Sequence, residues 1–250
     1  MLTLAERQSQ MIILLKEVIT ILNDEKIPYS LAYGSVLGAV RHKGFIPWDE
    51  DIDLYICIDH YDIICEKLKA RLPGNLKFFS KEVDSTYDEV VLRVGFANQP
   101  HQTMHIDLFP LTGCPNTDAT FSRVLFQFTT YLANRCFFIK KVNPRFNYKK
   151  KTKKFFLAYF CKFLLFPIPA VFFKFLFNKL STLYPVTSSN ELFSICGGHS
   201  ASGHSKDYWP KEWFTEQIFC TFEDIQLPIP KDWDAYLRNY YGDYLTPKKY

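Results

Sequence analysis

Apolar positions at the start of the chain recur with helical spacing. Met11, Leu14, Leu15, Val18, Ile19 and Leu22 share one face of a helix predicted over about residues 4–24. The period then changes. "PYSLAY" reads as a strand, and "GSVLGAVRHKG" as a turn leading into a short helix. "DIDLYIC" is a strand, and "DHYDIICEKLKARL" a helix closed by Pro73, Gly74 and Asn75. "LKFFSKEV" and "EVVLRVGFA" form a predicted strand pair, and "MHIDLFPLTG" a further strand. Strands mixed with helices in this way predict an α+β core, a mixed sheet flanked by helices.

The pattern breaks in the middle of the chain. Residues 118–142 read as helix, and 140–154, "KKVNPRFNYKKKTKK", hold eight basic residues and no acid. They lead into "FFLAYFCKFLLFPIPAVFFKFLF" (155–177), with nine phenylalanines. Lys162, Lys174, Pro167 and Pro169 interrupt any membrane span there. A helix over 155–166 would be about 18 Å long, too short to cross a bilayer. The stretch predicts a broken pair of helices in a headgroup layer, with the lysines against anionic lipid, so residues 140–177 are the expected membrane-surface contact. The alternative is a helical Phe-rich subdomain packed on residues 118–142. From about residue 190 the composition is ordinary again, through "YWPKEWF" and "TFEDIQLPIP" to a final helix in "DWDAYLRNYYGDY". The expected organisation is a catalytic core over 1–117, a helical, basic and Phe-rich segment over 118–190, and a C-terminal part over 191–250 that completes the catalytic domain.

With 250 residues, 48% of them apolar and 17% aromatic, the chain can bury a sizeable core and is not a disordered one. The net charge of +4 is too small to name a partner. The lysine run lacks interleaved stacking aromatics, so no nucleic acid is expected. Cysteines 57, 65, 114, 136, 161, 196 and 220 are scattered singly, which speaks against a zinc knuckle or disulfide framework and for a reducing compartment. The first residues do not have a signal-peptide layout. The expected location is cytoplasmic, peripheral on the inner face of the membrane.

The chemistry lies in the acids. In "DIDLYI", alternation puts Asp51 and Asp53 on one strand face, about 7 Å apart. Two such carboxylates repel unless a cation lies between them, and Mg2+, with Mn2+ as substitute, is the ion that carboxylates share with phosphates. Asp107 in "HIDLF" is a third acid in an apolar strand. If that strand lies beside the first, Asp51, Asp53 and Asp107 converge as metal ligands and catalytic residues suited to in-line displacement at phosphorus. Gly34 and Ser35, opening a short helix, make a seat for phosphate. Arg41, His42 and Lys43 add positive charge. Trp48 either stacks on a base or fills the core. His42 reads as a phosphate donor or loop-orienting residue rather than a general base. Arg93 reads equally as a phosphate contact or a structural ion pair. His199 and His204 read as loop residues rather than ligands.

The ordered set of Gly-Ser turn, D-h-D strand and later acidic strand resembles the nucleotidyltransferase superfold. Within it, "GSVLGAVRHKGFIPWDEDIDL", "HIDLFPL" and "WPKEWF…FEDIQLPIPKDWDAYLRNYYGDY" resemble the LicD family, the phosphocholine-transferase and fukutin-related group, over about residues 20–113 and 205–250. Glu50 stands where that family has aspartate, and Ser35 where many members have threonine. The resemblance implies a nucleotidyltransferase-like fold. It also implies Mg2+-dependent transfer of a substituted phosphate such as phosphocholine from a CDP-linked donor, with release of CMP. The acceptor would be a hydroxyl of a cell-surface glycan, lipopolysaccharide or capsule, or its lipid-linked precursor. Asp51 and Asp53 would then hold the metal, Asp107 would complete the site or take the acceptor proton, and Gly34, Ser35 and Arg41 would hold the diphosphate. Two alternatives use the same residues differently: transfer of a nucleoside monophosphate to a small molecule with release of pyrophosphate, and a non-catalytic membrane-associated scaffold.

Overall fold

The computed structural model describes residues 2–80, 87, 91–99, 103–115, 120–141, 153–195 and 207–246. The chain divides into two compact units, residues 1–112 with 190–250, and residues 113–189.

The first unit begins with α1 (Leu4–Asp24), closed at its start by a capping box in which Thr3 Oγ1 accepts the Glu6 amide at 3.3 Å while Glu6 Oε2 accepts the Thr3 amide at 2.7 Å. Its periodic face, from Met11 to Leu22, is buried. The strands follow as β1 (Tyr29–Leu31), β2 (Ile52–Cys57), β3 (Leu76–Phe79), β4 (Leu92–Phe96), β5 (His105–Gly113), β6 (Glu191–Ser194) and β7 (Tyr208–Pro210). They form one mixed seven-stranded sheet in which β1-β2-β5-β4-β3 are successive neighbours and β6 joins β5 to β7. β2 and β5 run parallel, and β1 and β4 run antiparallel to them. Helices α2 (Tyr33–His42) and α3 (Tyr61–Arg71) flank the sheet, so the α+β class and the mixed sheet stand as the sequence predicts.

Beyond their acid-bearing starts β2 and β5 are almost wholly apolar, because both faces are covered. Tyr55, in line with Asp53 on the strand, is fully buried against Trp209 and donates or accepts a 3.0 Å hydrogen bond with Tyr236. Tyr236 and Tyr240 come from α8 (Trp233–Tyr241), which follows the short α7 (Glu212–Thr215) and the hairpin β8 (Ile218–Phe222) and β9 (Ile225–Ile229). The C-terminal segment thus closes the core beneath the acid-bearing strands.

The second unit contains α4 (Thr120–Lys141), α5 (Lys153–Leu164) and α6 (Ala170–Ser181). Cys136 of α4 and Phe173 of α6 form its buried centre, with Leu165, Ile168 and Ala170 against them. The apolar stretch is broken between α5 and α6, where Pro167 and Pro169 interrupt the helical ladder. Among the described residues no helix is long and apolar enough to cross a membrane. Cys196, His199, His204 and most of the lysine run lie outside the described residues.

Candidate active site

Sheet register builds the site. Asp53 of β2 stands opposite Asp107 of β5, and Asp107 stands opposite Arg93 of β4. Across three neighbouring strands the order is acid, acid, base. Arg93 grips Asp107 as a fork, Nε donating to Oδ1 at 2.6 Å and Nη2 to Oδ2 at 2.8 Å, and both side chains are buried. His105 Nε2 lies 3.6 Å from Asp107 Oδ2, and its Nδ1 is 2.7 Å from the Thr103 carbonyl. Burial pushes the Asp107 carboxyl up. The hydrogen bonds from Arg93 and His105, with the Arg93 charge, outweigh it and hold the group below the usual carboxylate range.

Asp53 is fixed by its backbone. Its N–H donates to Ser35 Oγ at 2.9 Å, and its carbonyl accepts the Ala32 amide at 2.9 Å. Burial raises the Asp53 carboxyl well above the ordinary range, and the charges of Asp51, Asp107 and Asp49 raise it further. Asp49 is pushed up to about 7 by burial, then by the Asp51 charge and a hydrogen bond with it. Asp51 itself lies one residue ahead of β2, in the loop rather than in the strand. The loop is held from outside by α1. Gln8 Nε2 donates to the Asp49 carbonyl at 3.0 Å, and Arg7 pairs with Glu50 at 2.7 Å. Position 50, where the family pattern differs, therefore faces Arg7. A cleft of about 390 Å3 opens here, lined by Arg7, Trp48, Asp49, Asp51, Met104 and His105 among others.

These acids fit a divalent cation by their chemistry. Asp49, Asp51 and Asp53 are oxygen donors, and the neighbouring negative charge that raises the Asp49 and Asp53 carboxyls is what a bound Mg2+ would relieve. Asp107 fits less directly than the sequence implies, because both its oxygens engage Arg93. Among the described residues no three His, Cys, Asp or Glu side chains already stand as a metal-binding group, so ligation would have to draw these acids together.

The glycine-serine segment sits differently from its predicted place. Gly34 and Ser35 lie inside the first turn of α2 rather than in a turn before it. Ser35 is buried, and its hydroxyl ties that turn to β2. A Cβ at Gly34 would lie 3.2 Å from Asp49 Oδ2, so any side chain there would press on that carboxylate. Arg41 spends Nε on His42 Nε2 at 2.9 Å and Nη1 on the Tyr244 carbonyl at 2.8 Å, so it anchors the C-terminal segment. Burial, then the Arg41 charge, lowers the His42 pKa, in keeping with Nε2 accepting from Arg41 Nε. Lys43 caps α2 in the left-handed region with φ 57°, and its carbonyl accepts the Glu223 amide at 2.7 Å. Trp48 is 39% exposed at the cleft rather than in the core. Arg93 takes the ion-pair reading in this structure.

The structure adds residues to the site that the sequence reading left without a role. Asp49 is marked in the sequence only by the length of the acidic run. Tyr241 has its hydroxyl pKa raised by burial and then by Asp53, Asp49 and Asp51, so it faces the acids from α8. Glu223, itself at φ 54°, accepts the Phe45 amide with Oε1 at 3.1 Å and so clamps the basic loop. His105 carries a signal, a histidine two residues before an acid on the same strand face.

The LicD/FKTN/FKRP nucleotidyltransferase domain profile matches residues 26–149. Lipopolysaccharide cholinephosphotransferase LicD of Haemophilus influenzae is 26% identical over 98% of this chain and 92% of its own length. The chain belongs to the LicD family. The Ribitol 5-phosphate transferase FKRP of mouse and of human are each 33% identical to this family member over 37% of the chain, which covers 18% of those proteins. A solved structure of ANT(2")-Ia in complex with adenylyl-2"-tobramycin overlaps at 10% identity and a TM-score of 0.30, covering 69% of this LicD-family chain and 97% of that one, too low to bear on fold or substrate.

Proposed function

We propose that the chain transfers a substituted phosphate from a CDP-activated donor to a hydroxyl of a cell-surface glycan, or of its lipid-linked precursor, and releases CMP. It is a LicD-like phosphotransferase, and its full-length relative is named for cholinephosphate transfer to lipopolysaccharide. The observation that carries the reading is the register of Asp53 against Asp107 on parallel strands, with Asp49 and Asp51 beside them at a cleft.

In this reading the acceptor oxygen attacks the phosphorus that bears the head group. The new P–O bond forms as the bond to the bridging oxygen breaks, and CMP leaves with that oxygen and its electron pair. The acceptor proton passes to a carboxylate oxygen. A bound Mg2+, held by Asp49, Asp51 and Asp53, would supply charge neutralisation for the diphosphate. Arg93 keeps Asp107 ionised and immobile, which fixes the negative wall opposite Asp53. Tyr241 borders the acids from α8, and Trp48 offers a flat face to the donor's base. Ser35 holds α2 to β2 so that the first-turn amides and Asp53 keep a constant spacing.

The test incubates the protein with Mg2+, surface glycan from cells lacking it, and CDP-choline, CDP-ribitol or CTP in turn. Glycan-dependent CMP release from a CDP-linked donor is expected, and Asp53→Asn should lower its rate by about 10³-fold or more. Pyrophosphate release from CTP, with no CMP from either donor, would overturn the reading in favour of nucleotidyl transfer.

A further inference from the structure

The 113–189 unit is unlike the rest of the chain in two independent ways. It holds 13 basic residues and one acid, Asp118. It also exposes apolar side chains in ordered stripes. On α4, Phe121, Val124, Leu125, Phe128, Tyr131 and Leu132 are exposed at the spacing of one helix face. The opposite side, with Phe126, Thr130, Ala133 and Cys136, is buried. On α5 the exposed residues are Phe156, Phe160, Phe163 and Leu164, again one face. On α6, Phe173 and Phe177 point inward while Val171, Phe172 and Phe175 are exposed, so that helix is apolar nearly all round. Phe166, between α5 and α6, is 79% exposed. Rows of exposed phenylalanine on a water-facing surface mark a binding face.

We infer that this unit seats on an anionic bilayer surface, with the phenylalanine stripes in the headgroup–acyl boundary and the basic residues among the lipid phosphates. Charge selects this occupant. An isologous pairing of two copies would set the same patch against itself and bring like charges together. A lipid surface of opposite sign satisfies the charge and the apolar stripes at once. α5 and α6, 12 residues each, are about 18 Å long and suit lying in the interface plane rather than crossing it.

The test needs no activity. The full chain is sedimented with vesicles of phosphatidylcholine alone, and of equal parts phosphatidylcholine and phosphatidylglycerol. Binding to the anionic vesicles should be at least about tenfold tighter and should fall when salt is raised to about 0.5 M. A triple substitution of exposed residues, Phe121→Ser, Phe163→Ser and Phe166→Ser, should weaken binding at least about tenfold. Its circular dichroism and elution volume should stay unchanged. Lys149→Gln, Lys150→Gln and Lys151→Gln together should reduce anionic binding by a similar factor and leave neutral binding alone. Absence of pelleting, equal binding to both vesicles, or a soluble oligomer that the phenylalanine triple dissolves would each overturn the inference.

Discussion

The two units solve opposite electrostatic problems. Outside 113–189 the chain has 25 acidic and 17 basic residues, and within it one acidic and 13 basic. The first unit gathers negative charge at a buried strand end and keeps it there with backbone anchors, a clamped loop and the Arg93 fork. The second sets 13 basic residues against one acid and, among its described residues, turns many phenylalanines outward. The net charge of +4 conceals both, because two opposite distributions nearly cancel. Function in such a chain follows from where charge is held and what it costs to hold it there.

The sharpest way to break the contrast is Arg93→Leu. It leaves Asp107 buried without its partner and should cost about 3–5 kcal/mol in urea unfolding. Adding Asp107→Leu should recover most of that loss. If the single variant is as stable as the parent, the fork is not what keeps the negative wall in place.

A smaller effect comes from Asp49. Its folded pKa of about 7 lies above the ordinary 3.8, so between these values the folded chain binds a proton that the unfolded chain lacks. Stability therefore falls as pH rises through that window. Asp49→Asn, measured with a chelator present, should be about 1–2 kcal/mol more stable than the parent near pH 8, with no advantage near pH 3.5. Partial exposure of the side chain screens the repulsion and keeps the gain small. An advantage independent of pH would mean that repulsion is not its source.

The smallest effect belongs to the second unit. Phe166→Ser should change stability by less than about 0.5 kcal/mol, whereas Phe173→Ala, in the buried centre beside Cys136, should cost about 3 kcal/mol. Similar losses for both would show that the outward stripes are covered in the free protein.

Much of the first unit was legible in the sequence because period and chemistry agree there. The D-h-D alternation and the lone acid in "HIDLF" marked two acid-bearing strands, and the sheet makes them neighbours, pairing Asp53 with Asp107. The Arg93 fork was not legible. It depends on the register of β4 against β5, which no local pattern in "LRVGF" sets. Arg41 misled for a similar reason, since its position beside the acids said nothing of the Tyr244 carbonyl 203 residues away. Glu223 has the same character, a side chain that becomes meaningful only when a distant hairpin meets the 43–45 loop. In the second unit, composition revealed the apolar and basic character of the stretch. It could not reveal which phenylalanines turn outward, because α4 and α5 turn apolar faces to the surface and α6 is apolar nearly all round, so hydrophobic phase does not separate inside from outside.

The catalytic unit is discontinuous, with residues 1–112 completed by 190–250. A ribosome making this chain releases the acid-bearing strands long before it releases Trp209, Glu223, Tyr236 and Tyr241, and the Phe-rich stretch emerges in between. Tyr55 and the 43–45 loop must wait for their partners through the whole of that interval. Nascent chains would therefore meet chaperones, or a lipid leaflet, before they gain chemical competence, which places maturation late in synthesis.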